Sequence, residues 1–131
     1  MESVAAHPAL ARLIARAKRD PEVLALLLFG SRARGDSLPE SDLDVCLVLG
    51  AESRSPISPS QKLLEYLEET DLDLSLFQLL PLYIRSRILK EGTILFARDE
   101  DALYALAIRT ARAFEGFRHI YREYLEQVAR D

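Results

Sequence analysis

The stretch "LLLFGSRARGDSLPESDLDVCLVLG", residues 26–50, constrains the fold more than any other part of the chain. An apolar run, Val23 to Phe29, stops at Gly30-Ser31. It is short and unbroken, the pattern of a strand buried on both faces, with a helix as the alternative that its leucine content leaves open. A polar loop with two arginines follows, and the chain then re-enters an apolar run that opens with Asp42 and Asp44. Side chains alternate across a strand, so Asp42, Asp44, Cys46 and Val48 share one face while Leu43, Val45, Leu47 and Leu49 share the other. Farther along, "DLDLSLFQL" alternates from Asp71, with Asp71, Asp73, Ser75 and Phe77 on one face and Leu72, Leu74 and Leu76 opposite. If both leucine faces pack on helices, the acidic faces coincide. Neighbouring strands lie ~4.8 Å apart, so the carboxylates converge.

Helices are expected around these strands. "PALARLIARAKRD" puts Leu10, Leu13, Ile14 and Ala17 at helical spacing, with Pro8 suited to the first turn and Pro21 as a breaker. "SQKLLEYLEE" reads as a short helix, Pro81 starts another that Gly92 ends, and "TILFA" reads as a short edge strand. From Asp99 to Asp131 runs one long helical pattern, in which Leu103, Leu106, Thr110, Ala113, Phe117, Ile120, Tyr124 and Val128 step by three and four. Such a helix extends ~45 Å, against a radius of gyration of roughly 14 Å for a domain of this size, so one end overhangs or folds back. Its aromatic stripe is Phe114, Phe117, Tyr121 and Tyr124. Core packing is the first expectation for that stripe, above all for Phe114 and Phe117. The alternative is a partner surface anchored by Tyr121 and Tyr124.

With 131 residues, 49% hydrophobic and 29% charged, the chain fits a single domain, 1–131, with a real core. No run approaches the ~20 apolar residues of a membrane span, and "MESVAAHPALARL" lacks the basic start and apolar centre of a secretory signal. The lone Cys46 forms no internal disulfide. These features point to a cytoplasmic protein. A net charge of −4 weakens any general nucleic-acid role.

Converging carboxylates repel, and a bound divalent cation relieves them. Oxygen ligands in small number suit Mg²⁺, which takes its other ligands from water and substrate phosphates. Two such ions can activate a nucleophile and stabilise a leaving pyrophosphate. Strand-end aspartates facing water are the plainer alternative. The Gly-Ser pair favours the chemical reading. Glycine permits close backbone approach, and Ser31 stands where N–H groups of a helix start and a hydroxyl make a phosphate seat. An anion seat beside a metal seat fits a nucleoside triphosphate. The pattern is not a P-loop, because GxxxxGK[ST] is absent.

"GSRARGDSLPESDLD" follows G-S-x-A-R-G-x5-S-D-x-D position by position. The chain thereby resembles minimal nucleotidyltransferases of the DNA polymerase β-like superfamily, especially the MntA-type antitoxins paired with HEPN-domain toxins. "PLYIRSRILKEGTILFARDEDAL" is similar to that group's helix, glycine, short strand and final helix. The resemblance implies an α/β fold, a mixed β-sheet flanked by helices and carrying a long C-terminal helix. It implies triphosphate binding by Gly30 and Ser31 and metal coordination by Asp42 and Asp44. It also implies a third carboxylate on the following strand, for which Asp71 and Asp73 both have the right parity. Counting back from "RILKEG" selects Asp73, as metal ligand and as helper in deprotonating the attacking hydroxyl. Arg34 matches the family arginine, as a phosphate contact or as a carboxylate partner holding the loop. Arg32 stands at a variable position.

The implied activity is transfer of AMP from ATP, with Mg²⁺, to a hydroxyl, and within that family the acceptor is a tyrosine of the HEPN toxin partner. The long C-terminal helix is a candidate for homo- or hetero-oligomer contacts. Two alternatives stay open: a non-catalytic antitoxin that only docks, and a nucleotidyltransferase acting on a small molecule such as an aminoglycoside. Intact aspartates weigh against the first, and the short chain against the second. Arg112, His119 and Tyr121 also echo the R-x4-6-H-x-Y motif of HEPN ribonucleases. That site needs a four-helix bundle, and the match is expected by chance in an arginine-rich helix.

Overall fold

The computed structural model describes residues 7–30, 43–50 and 56–130. Ser31, Arg34 and Asp42 lie outside the described residues. The elements in chain order are α1 (Pro8–Arg19), β1 (Val23–Phe29), β2 (Asp44–Leu49), α2 (Pro59–Leu67), β3 (Asp73–Leu76), a single 3₁₀ turn (Phe77–Leu79), α3 (Leu82–Glu91), β4 (Thr93–Ala97) and α4 (Glu100–Arg130). The four strands form one mixed sheet in the order β3-β2-β1-β4. β1 runs antiparallel to both β2 and β4, and β2 runs parallel to β3.

Period-two alternation divides the core between the two sheet faces. Leu26, Leu28, Val45, Leu47, Leu74 and Leu76 look toward α1, whose Leu10, Leu13, Ile14 and Ala17 are buried, and toward Tyr66 of α2. On the other face Ala25, Leu27, Cys46 and Val48 pack with Phe77, Ile88 of α3 and Leu103 of α4. The result is a sheet between two helical layers. β1 is buried on both faces, as its unbroken apolar run predicts.

β3 is shorter than its alternating sequence. After Leu76 the chain turns, and Leu80 N–H donates to Phe77 O at 3.1 Å. Gln78 then takes over the ladder with its side chain. Leu49 N–H donates to Gln78 Oε1 at 3.1 Å, and Gln78 Nε2 donates to Leu49 O at 2.9 Å. The amide closes the end of β2 as another backbone residue would.

α4 has 31 residues and so extends about 46 Å. Its first half packs on the sheet, but Leu103 and Thr110 are its buried residues. Phe114 is half-buried, while Phe117, expected in the core, is 53% exposed. The helix outruns the sheet and α3, and among the described residues no element backs the stripe past Phe114. Of the two expectations for that end, overhang is the one observed. Among the described residues no helix is long and apolar enough to cross a membrane.

Candidate active site

Register decides where the acidic residues meet. In the parallel ladder Asp44 pairs with Asp73, Val45 with Leu74, Cys46 with Ser75 and Leu47 with Leu76. The Asp73 N–H donates to Leu43 O at 3.2 Å, which pins the start of β3 against β2. Asp44 and Asp73 therefore project from the same face at the same level, one strand spacing apart. Asp44 is half-buried and Asp73 exposed, so the pair opens to water. Asp71 precedes β3 and lies outside its ladder, exposed. Of the two strand candidates, Asp73 is the one set opposite Asp44.

β1 completes this end of the sheet. Phe29 pairs with Asp44, and the next residue is Gly30. Gly30 has φ +93°, in the region that disfavours side chains. A Cβ placed on it would lie 2.7 Å from Asp44 Oδ2. Two independent constraints thus require glycine here, and both bring bare backbone against the carboxylate. Among the sequence-derived candidates, Gly30, Asp44 and Asp73 come together at one edge of the molecule. Asp42, Ser31 and Arg34 are outside the described residues.

The donor set is oxygen only. Cys46, one level deeper on the same face, is fully buried, and burial pushes its thiol up to about 12. Beside it stands the Ser75 hydroxyl, whose contact with the thiol only partly offsets the burial. Among the described residues no third His, Cys, Asp or Glu joins a pair to make a larger metal-ligand group. Two carboxylates on adjacent strands, one of them exposed, match a hard divalent cation that keeps other positions for water or phosphate.

Sequence reasoning missed the polar bracing at the far end of the sheet. Lys62 Nζ lies 2.8 Å from Asp20 Oδ2 and 3.2 Å from Glu22 Oε2, and Tyr66 donates its hydroxyl to Asp20 at 2.8 Å. Arg98 donates from Nε to Val23 O and from one terminal nitrogen to Ala17 O, Lys18 O and Asp20 O, at 2.9 to 3.0 Å. It gathers the carbonyls at the end of α1, adding a side-chain donor to Ala17 O and Asp20 O, which also accept the backbone N–H groups of Asp20 and Val23. These partners lie far apart in sequence, and no local spacing announces them.

A family model described as "Polymerase beta, Nucleotidyltransferase" matches residues 11–101. A Methanocaldococcus jannaschii protein named "Putative protein adenylyltransferase" is 30% identical over 107 residues, covering 82% of this chain and 76% of that one. Among solved structures, a chain from a tri-AMPylated Shewanella oneidensis HEPN toxin in complex with MNT antitoxin has a TM-score of 0.62 at 16% identity, covering 96% of this chain and 98% of that one. A chain from a toxin–antitoxin crystal structure with AMP-PNP has a TM-score of 0.59 at 22% identity, covering 89% and 96%. At such identities the solved structures establish the fold, a mixed sheet between helices with a long final helix. The family match stops at Asp101, in the first turn of α4.

Proposed function

The chain belongs to the polymerase β nucleotidyltransferase family, and from that premise we propose that residues 1–131 work as one minimal domain that transfers AMP from ATP to a hydroxyl of a partner protein. Support for a protein acceptor comes from the relative named for protein adenylylation. A HEPN toxin as that partner is supported by the structural neighbours, complexes of AMPylated HEPN toxin with MNT antitoxin. The acceptor is then a tyrosine, and its modification silences the toxin.

The observation that carries the reading is the register pairing of Asp44 with Asp73 beside the bare backbone of Gly30. In this scheme Asp42, Asp44 and Asp73 would hold Mg²⁺, which when bound would neutralise charge on the polyphosphate. Gly30 and Ser31 seat the triphosphate through backbone N–H groups and the Ser31 hydroxyl, and Arg34 contacts phosphate. The acceptor oxygen attacks the α-phosphorus, the bond to the β-phosphate oxygen breaks, and pyrophosphate leaves. Asp73, at the open rim, takes the proton of the attacking hydroxyl and passes it to water. The half-buried position of Asp44 suits a fixed ligand, and the exposed position of Asp73 suits a group that meets the incoming acceptor.

The test incubates the chain with a HEPN toxin of the same genome, Mg²⁺ and ATP labelled at the α-phosphate. Label is expected on a toxin tyrosine with release of pyrophosphate. Asp44→Asn keeps the shape but loses charge, and should cut the rate by roughly two to three orders of magnitude. Undiminished labelling by that variant removes Asp44 from the mechanism. A wild-type chain that leaves the toxin unlabelled, yet labels an aminoglycoside, replaces the protein acceptor with a small molecule.

A further inference from the structure

The free half of α4 lies next to the carboxylates, and topology shows why. β4 begins beside the end of β1, with Thr93 paired to Leu28, and finishes at the far end of the sheet. α4 starts there and runs back across the face that carries Asp44 and Asp73, burying Leu103 against Cys46 and Leu27. It reaches the C-terminal end of α3, where Lys90 and Glu91 line a groove of about 630 Å³ with Phe114 and Arg118. That end of α3 adjoins β1: a Cβ on Gly92 would meet Leu28 O at 3.4 Å. Residues 117–130 therefore continue past the same edge of the sheet where Gly30, Asp44 and Asp73 stand.

The helix does not rotate its apolar stripe as it leaves. Leu103, Thr110, Phe114, Tyr121 and Val128 step by seven, four, seven and seven, which keeps one side of the helix toward the body. The core-facing side thus runs on as an uncovered shelf. Phe117, Ile120, Tyr121, Tyr124, Leu125 and Val128 are each between 48% and 67% exposed. Phe117 stacks on Tyr121 at 6.0 Å, and Tyr121 on Tyr124 at 6.5 Å, so the rings form a preassembled row. Contiguous apolar surface of this kind marks an interface.

We propose that this shelf, Phe117 to Val128, is the docking surface for the protein that receives the nucleotide, and that it delivers the acceptor hydroxyl to the edge holding Asp44 and Asp73. The inference rests on the adenylylation reading for its chemistry and on the shelf itself for its geometry. Area argues for that occupant over a second copy of this chain. A specific interface buries roughly 800 Å² on each partner, and two helical arms of about 20 Å pairing with each other supply only part of it. A partner that fills the corner between arm and sheet edge gains the remainder and covers the site.

The experiment compares wild type with Tyr121→Glu and Tyr124→Glu, and uses Tyr104→Glu, an equally exposed tyrosine off the shelf, as control. A HEPN toxin of the same genome is the probe. Association is followed by light scattering, Mg²⁺·ATP binding by calorimetry, and toxin labelling from ATP. Both shelf variants should bind Mg²⁺·ATP as wild type does while their affinity for toxin drops about tenfold or more, with labelling falling in parallel; the control should match wild type on all three. Unchanged association in both shelf variants overturns the proposal. So does a wild-type dimer that Tyr124→Glu splits without loss of toxin binding. If shelf variants lose the toxin but wild type transfers no AMP, the docking surface stands and the adenylylation reading falls.

Discussion

Where β1 begins, Asp20 and Glu22 share Lys62 at 2.8 and 3.2 Å, Tyr66 donates to Asp20, and the Arg16 guanidinium lies 3.9 Å from the Tyr66 ring centre. Where β2 and β3 begin, Asp44 stands against Asp73, and among the described residues no cation pairs with Asp73. Acidic residues stand at both ends of the sheet, but at one end Asp20 and Glu22 face a lysine, and at the other Asp44 and Asp73 face each other one strand spacing apart. The first arrangement is a brace: every charge has a partner within the chain, so folding completes it. At the second, the exposed Asp73 has no cationic partner among the described residues, so a cation arriving beside Asp44 finds a carboxylate left to meet it.

The largest expected effect on stability comes from breaking the brace. Lys62→Met leaves two part-buried carboxylates facing each other and should cost about 3 kcal/mol, read as a lower urea midpoint. Its pH dependence has a definite sign. Burial acts to raise the Asp20 pKa, but Lys62, the Tyr66 hydroxyl and the Glu22 N–H outweigh it and hold the carboxyl below its ordinary value. That stabilisation is present above the unfolded value of about 3.9 and is lost as pH falls through the folded one. Lys62 is shifted the other way: burial lowers its pKa, and Asp20 and Glu22 more than compensate. Its share is present below the unfolded value and lost only as strong alkali passes the folded one. The gap between wild type and Lys62→Met should be widest near neutrality and shrink below about pH 4.

A smaller effect is expected at the other end from Gly30→Ala. The left-handed backbone costs an alanine about 1–2 kcal/mol, and the methyl group also displaces the Asp44 carboxylate. Stability should drop modestly while nucleotide transfer drops by much more. Equal proportional losses in both would make Gly30 a folding residue alone.

The comparison also explains what the sequence made legible. The elements were readable because their signals are local: Pro8 and Pro81 at helix starts, Gly92 at a helix end, alternation in β2 and β3, an unbroken apolar run in β1. The carboxylate pair was readable because side-chain parity is arithmetic, and the ladder then set Asp73, rather than Asp71, opposite Asp44. The brace was not readable, since Lys62, Asp20 and Arg98 meet only after the helices dock. Phe117 misled for the opposite reason. Helical spacing shows which side of α4 is apolar, but the side that meets the core and the side that meets a partner are the same side, and only the length of the sheet tells where one becomes the other.

The most direct test of this account measures the melting temperature of wild type and Asp73→Asn, each with and without Mg²⁺·ATP. Without ligand, removing the exposed carboxylate that faces the half-buried Asp44 should leave the melting temperature within about a degree or two of wild type, because an exposed charge contributes little to folding. With Mg²⁺·ATP, wild type should gain several degrees and the variant little, since ligand that binds the folded state alone stabilises it. A variant that melts well below wild type without ligand, as Lys62→Met is expected to do, and still gains as much from Mg²⁺·ATP, would contradict the claim. Asp73 would then belong to the framework of the fold and not to a site that waits for a cation.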